Sequence, residues 1–418
     1  MIVFNITWSE ERVREFLQKE NLSYQNIEMP YGLSTGGDDR SSTCKKILPD
    51  DLTGKTVLDI GCKFGYFCIE AIKRGARKVV GIDFDPENIR KARMIADCLG
   101  MPITYELFDI ETDRIQEKYD YVLCLNVLHH LKDPIAVLDR LIEATYENLI
   151  LEVASLGPRD RKRLKISLFT SMLLKHLPVL FISGNGRSSQ FRDHKFFITQ
   201  SAIRRLLMNH QNMFASVNIE PTEFKDRFIA IAAKRRIGKL LVVAGPIACG
   251  KTTLIRKLQN NELPEVAGCL NVDDFSSWRT VNARRFDELT DPVIDKLILY
   301  YDIKRPFFKN TKVYERDVAL DILKNAAAVS FLTLWTPPDI LIEQLDKKEQ
   351  DKSRDGRSTG KKYQKLRKAY QDFEKIRTIY SDWIEFCQKQ SAKHIVVSVT
   401  DGVRISTDEN WKQLVMEQ

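Results

Sequence analysis

Two kinds of hydrophobic spacing alternate along most of this chain. Short runs rich in β-branched and aliphatic residues, KTVLDIG, VVGID, PITYEL, YDYVLCLN and ENLILEV, are separated by stretches whose apolar positions recur every three to four residues, YFCIEAIKRG, ENIRKARMIADCLG and PIAVLDRLIEA. Such alternation predicts a parallel sheet covered by helices on both faces. A helix at 199–210 and two more strands, ASVNIE and RFIAIAAK, close this first pattern. It restarts after the basic segment KRRIGK at 234–239, with KLLVVAG, GCLNVD, LILYYD, VSFLTLW and HIVVSV as strands. The expected fold class is α/β, with two doubly wound domains and no internal repeat. Ahead of them, SEERVREFLQKE (9–20) reads as a helix capped by Ser9, followed by a Gly/Ser/Asp-rich loop at 32–43. The domains are drawn at 1–40 (N-terminal helix and covering segment), 41–236 (with an insertion at 157–195) and 237–418.

A chain of 418 residues exceeds one ordinary core, and 43% hydrophobic with 29% charged residues is the balance of a soluble globular protein rather than a disordered one. A net charge of +8 suits a polyanionic partner or an anionic membrane, and equally two sites for charged cofactors. Eight cysteines contain no CxxC pair, and several, such as Cys124 and Cys269, fall in apolar strand-like runs. That argues against a zinc site or disulfide framework and for a reducing compartment. The N-terminus has no secretory pattern, and no run reaches the ~18–20 apolar residues of a membrane span. The expected location is cytoplasmic, with peripheral contact at the inner face of a membrane through 157–183 as an added option.

Chemistry concentrates at two strand-to-helix turns. In the first, VLDIGCKFGYF (57–67), Asp59, Gly61 and Gly65 occupy a turn of the kind that brings backbone close to a ligand. Asp83 ends the next strand some 20 residues on, where an acid accepts ribose hydroxyls. Asp109, in FDIE, ends a third strand within reach of an adenine amino group. Asn126 ends a fourth and leads into His129 and His130.

Through YQNIEMPYGLSTGGDDRS, LTGKTVLDIGCKFGYFCIEAIKRGARKVVGID and NVLHHLKDP, residues 24–155 resemble the class I S-adenosylmethionine-dependent methyltransferases. Within these they resemble the family that completes the wobble-uridine oxyacetate modification of transfer RNA. The resemblance implies a Rossmann-like sheet closing on an antiparallel hairpin, and S-adenosylmethionine as cofactor. By it, Asp59, Gly61, Cys62 and Gly65 line the methionine part, Asp83 and Phe84 hold ribose and adenine, Asp109 and Ile110 hold the adenine, and Asn126 faces the sulfonium. Lys63 and Phe64 replace the small residues common in this turn. The acceptor is not implied, because a fold does not name its substrate.

Methyl transfer asks the protein to align an acceptor and to remove a proton. His129, His130 and His194 are the candidate bases, each with a structural alternative: one buried histidine in the adjacent pair, a loop hydrogen bond for His194. The insertion GPRDRKRLKISLFTSMLLKHLPVLFIS (157–183) joins a basic cluster to an apolar stretch. It reads either as an amphipathic element for an anionic membrane or lipid-linked acceptor, or as a helical lid over the methyl-transfer pocket.

The second turn, LLVVAGPIACGKTTLI (240–255), holds a complete Walker A pattern running through Gly245, Pro246, Ile247, Ala248, Cys249, Gly250, Lys251, Thr252 and Thr253. In that pattern backbone amides cradle phosphates, Lys251 reaches the β/γ oxygens of ATP and Thr252 ligates Mg²⁺. The half resembles the P-loop kinase superfamily over 239–405. Asp302, ending LILYYD, fits a Mg²⁺ partner, with Asp274 as a further ligand and Asp273 as the base for an acceptor hydroxyl; the assignment among the three is open. Caps or salt bridges are the alternative role for these acids. Arg354 and Arg357, with Lys361 and Lys362, would form a basic lid over the phosphates. The tract 347–377 reads otherwise as a solvated helical hairpin.

Three functions remain. One is a bifunctional enzyme that methylates, and phosphorylates at a hydroxyl, a glycan, lipid-linked or small-molecule acceptor. A second is an RNA-modifying, tRNA-type methyltransferase with an ATP-dependent partner domain. The third is a regulatory protein whose P-loop binds nucleotide without transfer.

Overall fold

The computed structural model describes residues 7–174, 176–184, 194–208, 213–224, 226–303, 313–354, 360–400, 402–407 and 409–416. The chain divides into two compact units, Met1–Asn209 with Phe214–Lys234, and His210–Met213 with Arg235–Gln418.

In the first unit, helix α1 (Glu10–Lys19) is capped by the Ser9 side chain and buries Val13 and Phe16. The polar stretch expected as a loop at 32–43 ends early. Helix α2 (Ser41–Ile47) begins inside it, because the Asp39 carboxylate accepts both the amide and the hydroxyl of Ser41, at 2.8 and 2.9 Å. This is the local side-chain capture that favours acids just before a helix. Strand and helix then alternate as β1 (Thr56–Ile60), α3 (Tyr66–Lys73), β2 (Lys78–Asp83), α4 (Pro86–Leu99), β3 (Thr104–Leu107), β4 (Tyr119–Leu125), α5 (Pro134–Ala144) and β5 (Thr145–Ala154). The insertion forms α6 (Pro158–Arg163), α7 (Leu168–Leu174) and a hairpin of β6 (Leu180–Gly184) with β7 (His194–Ile198). Helix α8 (Gln200–Met208) and strands β8 (Phe214–Pro221) and β9 (Arg227–Lys234) complete the unit.

Its seven strands run in the order β3-β2-β1-β4-β5-β9-β8. The first five are parallel, and β9 is antiparallel to β5 and β8. Every residue of β1 is buried, as a central strand covered on both faces requires. Local sequence supports each helix start: Asp85 caps α4 and Asp133 caps α5, each followed by a proline at the first helical position. Strand order reverses beside β1, where the chain runs outward through β2 and β3 and then crosses to β4. Ligands of open α/β sheets bind in the crevice at the strands' carboxyl ends at such a point.

The second unit comprises β10 (Arg236–Gly245), α9 (Lys251–Gln259), α10 (Pro264–Leu270), β11 (Arg279–Asn282), β12 (Val293–Asp302), β13 (Ala326–Trp335), α11 (Pro338–Arg354), α12 (Gly360–Tyr370), α13 (Phe373–Gln388), β14 (Lys393–Ser398), β15 (Arg404–Thr407) and α14 (Trp411–Met416). The sheet order is β11-β12-β10-β13-β14-β15, parallel except for β15. Helix α13 presses Trp383 into the core, where its Nε1 donates to Thr333 Oγ1 at 2.9 Å. Tyr380 donates to the Leu334 carbonyl at 2.8 Å from the same helix.

One predicted strand is absent. GCLNVD does not extend: Gly268–Leu270 belong to α10, which starts at Pro264 and stops at Asn271 in the left-handed conformation (φ 55°). Proline at the first helical position and a left-handed asparagine at the end are helix punctuation, and they overrode the strand-like Leu270 and Val272. Cys269 is accordingly exposed on a helix and not buried in a strand. The true partner of β12 is RTVN at 279–282. Among the described residues, no helix is long and apolar enough to cross a membrane.

Candidate functional sites

At the first turn, the chain leaves β1 and doubles back into α3 through three left-handed residues, Gly61 (φ 69°), Lys63 (φ 55°) and Gly65 (φ 84°). Gly61 and Gly65 are also needed for space. A Cβ on Gly61 would lie 2.5 Å from Val127 Cγ2, and one on Gly65 only 1.9 Å from the Tyr105 hydroxyl oxygen. Lys63 tolerates the left-handed conformation, at the modest cost a non-glycine residue carries there. Its backbone amide donates to Asp83 Oδ2 at 3.1 Å. The other Asp83 oxygen accepts from the Asp85 amide at 3.0 Å and from Asn88 Nδ2 at 3.1 Å. The carboxylate at the end of β2 is thus fixed in orientation against the glycine turn.

A cleft of about 410 Å³ opens here, and its walls include Gly61, Asp83, Phe84, Asp109, Ile110 and Asn126. Six of the nine residues expected to hold the cofactor therefore share one crevice. Phe84 is exposed over it, and Asn126 enters it in a left-handed conformation (φ 62°). A smaller hollow of about 40 Å³ continues from Gly61 and Asn126 past Asp59 and Cys62. Gly65 serves the backbone, as the left-handed residue that opens α3. Asp59 is buried, and burial pushes its carboxyl up to about 7, with the Cys68 thiol opposing and Asp83 adding to the rise.

The inner hollow brings together residues that sequence patterns did not single out. Glu152 is fully buried and receives Arg40 Nη2 at 2.9 Å on one oxygen and Arg227 Nη1 at 3.4 Å on the other. Gln25 and Arg40 line the same hollow, and Gln25 Oε1 and Arg40 Nε are buried without a hydrogen-bond partner. Two arginines share one glutamate here, and Arg40 keeps an orphaned donor in a hollow that Asp38 and Asp59 also line. Such orphans in an otherwise satisfied interior point to a ligand. A methionine carboxylate fits this chemistry. The available sequence signal was DDR at 38–40, an arginine beside acids just ahead of the first strand.

The rings of His129 and His130 touch, with centroids 3.9 Å apart, but they differ in exposure. His129 is buried (3% exposed) within a single 3₁₀ turn, Leu128–His130, while His130 lines the cleft. The expectation of His129 as a base does not fit a ring buried there; of the pair, His130 is the one that reaches the cleft. His194 opens β7, paired with Gly184; its side chain lies outside the described residues.

At the second turn, Gly245 ends β10, Ala248 and Gly250 are left-handed (φ 71° and 93°), and α9 begins at Lys251. No side chain caps α9, so its first amides are unclaimed by a local side-chain acceptor. Thr252 and Thr253 are exposed, whereas Pro246, Ala248 and Cys249 are buried and Ile247 and Gly250 half-buried. Lys251 is 1% exposed, and its Nζ donates to the carbonyls of Gly245 and Pro246, both at 2.7 Å. It also stands 3.1 Å from Asp302 Oδ1, and Arg284 holds Asp302 Oδ2 at 3.1 Å. Burial alone would favour neutral Lys251, but Cys249, Tyr300 and Asp302 outweigh it and hold the ammonium above its ordinary value. Tyr370, from the charged tract, donates to the Ile247 carbonyl at 2.8 Å, and Thr336 to that of Cys249 at 2.9 Å.

Two assignments change. Asp273 and Asp274 lie in the loop before β11, at the edge where the parallel strands start, whereas Gly245, Lys251 and Asp302 lie where they end. Asp274 Oδ1 accepts from Asn261 just past α9 and from Ser276, and the Ser276 amide leads the contacts that hold its carboxyl down at about 2. A nine-residue helix is ~13 Å long, and that length separates Asp274 from Thr252. Neither Asp274 as a ligand beside Thr252 nor Asp273 as the base fits, because the strand expected to carry them is a helix and a loop. The basic-lid expectation falls outside the described residues, which include neither the Arg354 side chain nor any of Arg357. Within the same hairpin Arg367 is committed to Asp346 and Glu349. Among the described residues, no cluster of three or more His, Cys, Asp or Glu could hold a metal by itself.

Comparison with known proteins bears on the first unit. Residues 40–211 match the family model described as Methyltransferase domain. The tRNA U34 carboxymethyltransferase of Campylobacter hominis is 37% identical over 92 residues, covering 22% of this chain and 32% of that protein. The ribosomal protein L11 methyltransferase of Escherichia coli is 39% identical over 106 residues, covering 25% of this chain and 36% of that protein. The chain spans about a third of the length of these curated relatives. Among solved structures, the N-terminal domain of EvdMO1 with SAH bound is similar at 14% identity and a TM-score of 0.43, covering 55% of this chain and 98% of that one. A putative S-adenosylmethionine dependent methyltransferase from Listeria monocytogenes is similar at 24% identity and a TM-score of 0.36, over 47% of this chain and 97% of that one. The first unit thus carries a class I S-adenosylmethionine-dependent methyltransferase domain with a Rossmann-like sheet.

Proposed function

We propose that the protein is a bifunctional transferase: the first unit moves a methyl group from S-adenosylmethionine, and the second moves a phosphoryl group from ATP to a hydroxyl. The acceptor in this reading is a glycan, lipid-linked or small molecule. The observation that carries it is the repetition of one arrangement. In each unit a tight turn lies at the carboxyl end of the strand where the sheet order reverses, and an acid ends the neighbouring strand: Asp83 beside Gly61, Asp302 beside Lys251.

In the first unit, Asp83 would hold the ribose, Asp109 and Ile110 the adenine, and Arg40 the methionine carboxylate, while Gln25 Oε1, an acceptor, would face the methionine ammonium. Ionised Asp59 would face the methionine ammonium. The bound sulfonium supplies an activated methyl carbon, so the protein's task is alignment and proton removal. His130 is the group at the cleft placed to accept the acceptor's proton as the new bond to carbon forms.

In the second unit, the uncapped start of α9 and the left-handed Ala248 and Gly250 favour an anion. Lys251 would exchange two backbone carbonyls for phosphate oxygens. Thr252 and Asp302 are the residues that fit Mg²⁺, the latter released from its pairing with Lys251 and Arg284. Arg284 then becomes available for phosphate at the same edge. Phosphoryl transfer is chiefly positioning and charge stabilisation, which this set can provide.

Incubating the protein with ATP, S-adenosylmethionine and pools of glycan, lipid-linked and small-molecule acceptors, followed by mass spectrometry, tests the reading. It predicts acceptors that gain a methyl unit, a phosphoryl unit, or both. Methylation of RNA alone, with ATP untouched, would overturn it. RNA is the second reading, favoured by the name of the Campylobacter relative and the net charge of +8. It requires RNA binding that weakens steeply with salt.

A further inference from the structure

The insertion between β5 and β7 is charged and oily in an order that the transfer chemistry does not use. Residues 157–165 contain five Lys or Arg and one Asp. Directly after them come exposed apolar residues: Leu168 (63%), Phe169 (76%), Met172 (56%) and Leu173 (58%) on α7, then Leu177, Leu180 and Ile182. These seven are almost half of the fifteen exposed large hydrophobic residues among the described residues, and they fall within fifteen positions. At ~100° per residue, Leu168, Met172, Phe169 and Leu173 form one stripe about 140° wide on α7. Leu174 falls on the opposite side, half-buried, and together with Met172 borders a hollow of about 240 Å³ whose lining includes Phe181 and Phe197. The helix is therefore anchored through Leu174 and in part through Met172, and presents Leu168, Phe169 and Leu173 to solvent. A lid over the cleft would turn that side inward.

We propose that α6, α7 and β6 form a docking surface for an anionic phospholipid bilayer, lying in its interface without crossing it. The stripe enters the acyl boundary, while Lys162 and Lys165, both exposed, meet lipid phosphates. Charge complementarity selects this occupant over a neutral apolar partner, because the basic residues flank the stripe on the chain just ahead of it. Contiguous exposed apolar surface of this extent is costly in water without a covering. The β7 strand of the same insertion packs against the turn that carries His130, so docking would occur beside the methyl-transfer cleft.

The test is flotation of the full chain with vesicles of phosphatidylcholine alone or mixed with phosphatidylglycerol. The expected result is binding to the anionic vesicles only, reduced by more than about tenfold in F169E/L173E and in K162E/K165E. The lysine variant alters only solvated side chains, so it remains informative if the first variant misfolds. F169W should shift its emission to the blue on anionic vesicles. Failure of the wild-type chain to float, retained binding in K162E/K165E, or unchanged F169W emission each overturns the proposal. So does a concentration-dependent dimer, abolished by F169E/L173E, in a chain that ignores lipid.

Discussion

Asp83 Oδ2 accepts the backbone amide of Lys63 at 3.1 Å, which ties the acid at the end of β2 to the glycine turn after β1. The contact joins two halves of one crevice. Asp83→Ala removes the proposed ribose partner and also releases the turn. Since a hydrogen bond to a charged group contributes about 1.5–3 kcal/mol, S-adenosylhomocysteine affinity should fall roughly 10- to 150-fold. Isothermal titration measures it, and ATP affinity in the same variant should not change.

Gly65→Ala places a methyl group where the Tyr105 hydroxyl already lies, at a backbone angle of φ 84°. Strain of this kind costs about 1–3 kcal/mol before Tyr105 is displaced. The melting temperature of the variant should drop by several degrees or more. Gly268→Ala, with open space around it in α10, should be neutral or slightly stabilising.

The Asp59 carboxyl, raised by burial to about 7, gives cofactor binding a pH dependence. A buried acid with a raised value keeps its proton in the empty site as pH falls below 7. The methionine ammonium favours the ionised form. Affinity for S-adenosylhomocysteine should therefore rise from pH 5.5 to 7.5, by up to about tenfold per pH unit below 7. Asp59→Asn should flatten that profile. The same sign applies to the folded state without cofactor: stability falls as pH climbs from the ordinary carboxylate range through 7, and Asn at this position should be relatively more stable at pH 8 than at pH 5.

Lys251→Ala and Asp302→Asn should each abolish ATP turnover, and Lys251→Ala should also weaken nucleotide binding, because a buried ammonium is lost from the phosphate turn. Asp273→Asn should leave both unchanged, since Asp273 lies at the opposite edge of the sheet. Comparing the three variants in one ATPase or kinase assay checks the site's location.

Much of this was legible in sequence, and the failures have physical causes. The first unit's main sheet and four strands of the second sheet announced themselves as apolar runs between amphipathic helices, whereas the short edge strands β11 and β15 did not; the glycine turn with Asp83 was readable by spacing. GCLNVD misled because Leu270 and Val272 look strand-like, while Pro264, which starts the helix, lies outside the run and Asn271, which ends it, reads as an ordinary polar residue within it. That one error moved Asp273 and Asp274 to the wrong edge. The Arg40–Glu152–Arg227 cluster was not legible, because its members come from three places far apart in sequence and meet only when β5 and β9 pair. His129 and His130 could not be told apart without knowing which way the 3₁₀ turn faces.

The central claim is that two separate adenine-bearing donors occupy two separate turns. Equilibrium binding of S-adenosylhomocysteine and of ATP to the wild-type chain, Asp83→Ala and Lys251→Ala measures this directly. The account predicts that each variant loses one ligand and keeps the other at wild-type affinity. A wild-type chain that binds only one of the two, or a single substitution that removes both, would contradict it.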